Sequence, residues 1–297
     1  MLSNILNKKY NFDFFSSYKY FIISSIILSV ISVILIFAKG VNKGIDFAGG
    51  ILIEIRSEEQ ISLENLRNIL DEINIGEVSL QNIGDDNDVM IRVGGQDVDE
   101  KIQMKKISLI KEVISENFDK IEYRRVDFVG PIIGKELIKS SVIALFCSFI
   151  AILLYIWIRF NYRFGFGALL ALVHDVLLTF GLLIILQLEF NLTAIAALLT
   201  IIGYSINDSV VIFDRIRENS QKYRSLSQNK IITKSLNETL NRTILTALTT
   251  IIALLSLVLL GGEVLKTFSI AVLFGVFVGT YSSIFIATST ILTKSKI

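Results

Sequence analysis

The residues that could carry proton or ion chemistry in this chain stand in apolar surroundings. Asp208 lies in the apolar run 192–213, directly after Asn207, and Arg242 stands just before the run 243–260. His174 and Asp175 are neighbours in the run 164–186. Ionisable groups are costly to place among apolar residues, so they mark sites for a proton, a cation or a partner charge. A guanidinium stays charged, so Arg242 could pair with an ionised Asp208, and a proton arriving at the acid would discharge the pair and free the helices to shift. Static readings stand beside this one. Asp208 with Asn207 can serve as a polar clamp, Arg242 can extend to headgroups, and His174 and Asp175 can be hydrogen-bonded packing residues. The chain has one cysteine, Cys147, and one histidine, so neither an internal disulfide nor a Cys/His metal cluster is expected. The polar segment 39–139 holds no nucleophile–base pair and no phosphate loop. We expect no catalytic residues, no metal and no organic cofactor.

The elements that must position these residues are membrane helices. The chain of 297 residues is 52% hydrophobic and 19% charged, too apolar for an ordinary soluble domain, and its net charge of +1 gives no reason to expect nucleic acid as a partner. A membrane-crossing helix needs about 20 apolar residues. Runs at 20–38, 140–158, 164–186, 192–213, 243–260 and 268–292 meet or approach that length. The first ends without a small-x-small cleavage pattern and reads as an uncleaved anchor. Asp208 falls roughly 9 Å from the nearer end of its run, and His174 and Asp175 fall roughly 15 Å into theirs. Thr200, Tyr204, Asn207, Asp208 and Val211 share one helical face, expected to point into the bundle. Thr243, Thr246, Thr249, Thr250 and Ala253 form a small, polar stripe, and Gly275, Gly279, Ser282 and Ser283 suit close helix packing.

Lysine and arginine set the orientation. They concentrate in the tail 1–19, the turn 159–163, the loop 214–242 and the tail 293–297, whereas the opposite short loops hold only Lys266. Both termini are therefore expected in the cytoplasm, and the long segment 39–139 outside. The loop 214–242 mixes basic residues with Ile216, Leu226, Ile231, Ile232 and Leu236, and is expected as an amphipathic helix on the inner leaflet. A solvated basic loop is the other reading. Within 39–139, alternation predicts strands at 51–56, 78–83, 89–93 and 121–129, and helical spacing predicts helices at 62–73, N-capped by Ser62, and at 98–118. The order βαββαβ is that of a ferredoxin-like split βαβ unit. The fold class expected is α+β, a six-helix transmembrane bundle with a ferredoxin-like domain between spans one and two.

Four segments carry a resemblance. They are Gly44-Ile45-Asp46-Phe47-Ala48-Gly49-Gly50, the stretch from Arg125 through Gly130-Pro131 to Leu137, the stretch from Ile202-Gly203-Tyr204 through Asp208 to Asp214-Arg215 and Asn219, and Asn241-Arg242-Thr243. Together they resemble the SecF branch of the SecD/SecF family of protein-export membrane subunits, related to resistance-nodulation-division transporters. On the residues alone, Gly44, Gly49 and Gly50 read as positions permitting positive φ, and Gly130-Pro131 as a turn. The resemblance implies a six-span subunit of the bacterial inner membrane that pairs with SecD and uses the proton-motive force to complete preprotein export. It implies the SecYEG channel, the SecA motor and YajC as further partners, and proton-linked roles for Asp208 and Arg242. Two alternatives stand beside it, a structural subunit without proton conduction and an exporter of small lipids or drugs.

Overall fold

The computed structural model describes residues 11–83, 85–94 and 100–292. The chain runs α1 (Phe14–Lys39), a one-turn α2 (Ile45–Ala48), β1 (Gly50–Arg56), α3 (Leu63–Glu72), β2 (Val78–Ile83), β3 (Asp85–Val93), α4 (Glu100–Asn117) and β4 (Glu122–Val129). It continues through α5 (Pro131–Arg159), α6 (Tyr162–Ile185), α7 (Leu192–Lys222), α8 (Gln228–Leu260), α9 (Gly262–Phe285) and α10 (Ser289–Leu292). Six of these helices are long and apolar enough to cross a membrane. The chain divides into two compact units, one made mainly of the long helices and one of residues 43–142 with 190–192.

In the helical unit, only 11% of the most apolar stretch of α1 is buried, against 56% for α6. The apolar surface left over on α1 suits hydrocarbon, while α6, α7 and α9 form the interior that holds the polar groups. Close approach is made by small residues. A Cβ added at Gly275 would run into the Ile201 side chain, and one at Gly279 would lie 3.2 Å from Ser205, so α9 sits against α7 as the small residues of its sequence predict. The segment 214–242 differs from expectation. It is not one separate helix: α7 continues to Lys222, α8 starts at Gln228, and the two meet as a helical hairpin. Of the residues read as a leaflet-facing stripe, Ile216, Ile231, Ile232 and Leu236 are 0%, 6%, 1% and 3% exposed, and Ile216, Ile232 and Leu236 join a core with Phe164 and Phe213, while Leu226 stays exposed. Asn219 ties the hairpin by donating to Ser235 at 3.0 Å and to Glu238 at 2.7 Å. Most of the stripe packs against protein. The tail lysines used for orientation, Lys8, Lys9, Lys294 and Lys296, lie outside the described residues.

The second unit is the βαββαβ domain, with an antiparallel sheet in the order β2-β3-β1-β4. Ile51, Ile53 and Ile55 of the central strand pack with Leu66 and Leu70 of α3 and Ile110 and Ile114 of α4. Ser62 caps α3 through Asn65 N, as its sequence predicts. Gly84, between the strands expected at 78–83 and 89–93, and the expected first residues of α4 lie outside the described residues; β3 is paired from Asp85 onward.

The carboxylate of Asp88, 6% exposed, sits opposite Arg56 in the β1–β3 register and accepts its Nε at 2.6 Å, with Arg124 at 3.4 Å. The Arg56 hydrogen bond, with the charges of Arg56 and Arg124, outweighs burial and holds the Asp88 carboxyl below its ordinary value. A lowered folded-state pKa adds stability above the unfolded value of about 3.9, lost as pH falls through the folded one. Asp88→Asn is therefore expected to cost about 1–2 kcal/mol at neutral pH, a figure reduced because Arg56 is half-exposed. Hydrogen exchange of β1 and β3 amides, corrected for intrinsic rates, should show this difference from pH 7 to about 5 and its decline below about 4. A pH-independent difference would contradict the pairing.

Candidate functional site

Asp208 is held on α7 between two neighbouring helices. Its Oδ1 accepts the Thr243 hydroxyl of α8 at 2.6 Å, and its Oδ2 accepts the Ser283 hydroxyl of α9 at 2.6 Å. One turn earlier, Tyr204 directs its hydroxyl toward Thr246 and Thr250 of α8. The threonine stripe of α8 thus meets the Tyr204–Asp208 edge of α7, where each hydroxyl offers one donor and also accepts. An ionised carboxyl accepts from both Thr243 and Ser283. A protonated one must donate, so one hydroxyl has to turn and find another acceptor. The contacts of Asp208 thereby join three helices, α7, α8 and α9.

Asp175 forms a second polar centre. It is fully buried on α6, with Oδ2 accepting Ser205 of α7 at 2.6 Å and Ser282 of α9 at 2.7 Å, and Oδ1 lying 3.0 Å from His174 Nδ1. His174 is 6% exposed, and its Nε2 has no hydrogen-bond partner among the described residues. The adjacent serines of α9 serve different acids, Ser282 holding Asp175 and Ser283 holding Asp208. Ser205 and Asp208 stand three residues apart on α7, so one turn of each helix takes part in both centres.

Several expected placements differ. The face of Thr200, Tyr204, Asn207 and Asp208 does not all point inward: Thr200 and Asn207 are exposed, while Tyr204 and Asp208 are partly buried. Seven residues separate Thr200 from Asn207, close to two turns, so they share a face rotated away from the packed side where Ser205 and Ser209 lie. Arg242 is exposed and makes no ion pair with Asp208 among the described residues; Thr243, one residue on, takes the position against the acid. Of the hydroxyl ligands, Thr243, Ser282 and Ser283 were legible only as small or packing residues, and Ser205 only as part of the stretch that carries the resemblance. The signal that could have singled them out is the carboxylate's need for donors, but the sequence does not say which helices adjoin.

The other motif residues have structural places. Asp46 accepts the backbone N–H of Leu192, first residue of α7, at 2.9 Å, a carboxylate at a helix N-terminus. Phe47 is 7% exposed and lies 5.7 Å from the Phe190 ring. Gly49 and Gly50 adopt φ of 74° and 115°, and a Cβ on Gly49 would meet Pro131 Cα at 3.3 Å. Gly44 does not share that conformation: its φ is −68°, and it precedes α2 as its N-cap. Gly130-Pro131 turns β4 into α5, with proline at the first helical position. A Cβ added at Gly203 would meet nothing within 4 Å outside its own helix. Asp214 pairs with Arg159 at 2.9 Å and Arg215 with Glu238 at 2.7 Å, exposed contacts of little energetic weight that brace the helix ends.

Comparison with known proteins agrees with this architecture. The family model described as "Protein export membrane protein SecD/SecF, C-terminal" matches residues 109–296, and the "SecD/SecF GG Motif" model matches 34–61. The chain is 53% identical to the protein translocase subunit SecF of Rickettsia rickettsii, covering 95% of this chain and 92% of the relative. It is likewise 51% identical to that of Rickettsia prowazekii, over 94% of this chain and 89% of the relative. Among solved structures, SecDF of Thermus thermophilus, described as a translocon-associated membrane protein, matches with a TM-score of 0.85 at 35% identity. That match covers 97% of this chain and 39% of SecDF, so the chain spans well under half of that protein. The six helices, the antiparallel four-stranded domain, the matched family models and the identity along nearly the whole length together establish that the chain belongs to the SecD/SecF family of protein-export membrane proteins.

Proposed function

We propose that this chain is a non-enzymatic subunit of a SecD–SecF assembly in the bacterial inner membrane, and that it couples the proton-motive force to the completion of preprotein export. The observation that carries the coupling is the ligand set of Asp208, a carboxyl among membrane helices that is held by neutral hydroxyls from α8 and α9. Loading or unloading a proton there changes which hydroxyl can bond, and so the preferred packing of α7, α8 and α9. Arg242, His174 and Asp175 flank this step: Arg242 as the nearby exposed charge, His174 and Asp175 as a second polar centre sharing α7 and α9. In this reading the βαββαβ domain faces the periplasm and meets emerging polypeptide, and both termini are cytoplasmic. The loop distribution of Lys and Arg supports that orientation. The match to somewhat over a third of a SecDF chain supports a partner that supplies the rest, hence SecD. The SecYEG channel, SecA and YajC complete the proposed surroundings.

One experiment tests orientation and partnership together. A tagged chain with Cys147→Ser carries either Ser115→Cys in α4 or Ser225→Cys in the α7–α8 turn, both exposed. Intact cells are treated with a membrane-impermeant maleimide, and the chain is then purified in mild detergent. We expect Ser115→Cys to be labelled, Ser225→Cys to be protected, and a SecD chain to be recovered alongside. Labelling of Ser225→Cys from outside would overturn the orientation, and recovery only as a monomer or homodimer would overturn the partnership.

A further inference from the structure

A cavity of about 860 Å³ opens where the α5–α6 turn meets the α7–α8 hairpin. Its apolar lining is Phe160, Phe164, Leu226 and Ile231, and its charged lining is Arg217 and Arg224, with no acidic residue among those that line it. The contrast with neighbouring arginines is informative. Arg159 is paired with Asp214, and Arg215 with Glu218 and Glu238. Arg217 and Arg224 are exposed and have no ion-pair partner among the described residues. Two helix starts also lie at the cavity: Asn161 caps α6, and Gln228 opens α8, whose N-cap Ser227 makes no side-chain cap bond. Neither helix has an acidic residue in its first turn, so the backbone N–H groups add to the positive field.

We infer that this cavity binds an anionic glycerophospholipid, with its headgroup phosphate between Arg217 and Arg224 and the start of an acyl chain along Phe160 and Phe164. The site combines a concave basic mouth with an aromatic floor at the ends of membrane-length helices, where aromatic residues and lipid headgroups meet. Basic pockets between helices at the cytoplasmic level suit anionic headgroups. A free phosphate would use the arginines and leave the floor uncovered, and an acidic peptide would have no use for a floor at membrane level. The inference rests on the membrane reading and its orientation and is independent of proton coupling.

The test is native mass spectrometry of the full chain in detergent, titrated with phosphatidylglycerol or with phosphatidylcholine of the same acyl chains. We expect preferential retention of phosphatidylglycerol. Arg217→Gln/Arg224→Gln should weaken that preference by roughly thirtyfold, a factor of about five per arginine. Each single variant should lose about half of it on a logarithmic scale, which keeps the test open if the double variant folds poorly. Lys222→Gln/Lys230→Gln, outside the cavity lining, removes the same charge and should leave the preference intact. Equal retention of the two lipids, or equal loss in both double variants, would overturn the proposal. So would full displacement of the lipid by excess inorganic phosphate or by a polyglutamate peptide, which would assign the site to a free anion or to a protein partner.

Discussion

Asp175→Leu is expected to abolish accumulation of the folded chain in the membrane, while Asp175→Asn accumulates near the normal level. The carboxyl is 0% exposed and serves Ser205, Ser282 and His174 from three contact points. Leucine would leave those groups without their acceptor in a site that water does not reach, at about 1–3 kcal/mol for each group stranded. Ser282 already has the Gly279 carbonyl as a second acceptor at 3.2 Å, so its loss is partly relieved. A total of roughly 3–6 kcal/mol remains, a large fraction of the stability of an ordinary domain. Asparagine keeps the shape, and serine hydroxyls can rotate to accept from its amide, so its cost falls to about 1–2 kcal/mol. Protein level in membranes and thermal aggregation in detergent measure both variants. A leucine variant with normal level and unchanged melting would contradict the buried network.

Periodicity made much of the architecture readable. Apolar length located the membrane-spanning helices, and alternation located the strands, because each pattern reports directly which faces must leave water. Ser62 was readable as a cap for the same local reason. What escaped was everything set by which helix adjoins which. The pairing of Thr243 with Asp208 instead of Arg242, and the division of Ser282 and Ser283 between two acids, depend on helix rotation, which six strongly apolar segments leave open. Asn207 lies next to Asp208 in sequence, yet one residue is a rotation of about 100° on a helix, enough to turn it outward. The 214–242 segment misled because an amphipathic stripe can cover lipid or protein equally well. Its apolar residues met each other across a hairpin. Gly44 escaped because a glycine-rich motif does not say which glycine takes the positive φ.

Asp208→Asn is expected to leave the chain assembled yet remove the gradient-dependent part of export. The substitution keeps the side chain's size, and its carbonyl oxygen can still accept from Thr243 or Ser283 while the other hydroxyl rotates to accept from the amide. What it removes is titration. A static polar clamp needs only hydrogen bonds and would tolerate asparagine, whereas a proton site would not. Because Arg242 makes no ion pair with Asp208 among the described residues, asparagine also strands no buried counter-charge there, and the effect on folding should stay small. The direct measurement uses inverted membrane vesicles carrying this chain, SecD and the export channel, with ATP supplied, protein levels matched and the proton gradient imposed or collapsed. The account predicts that Asp208→Asn equals the unsubstituted chain when the gradient is collapsed and gains no stimulation when it is imposed; full gradient stimulation in the Asp208→Asn vesicles would contradict it.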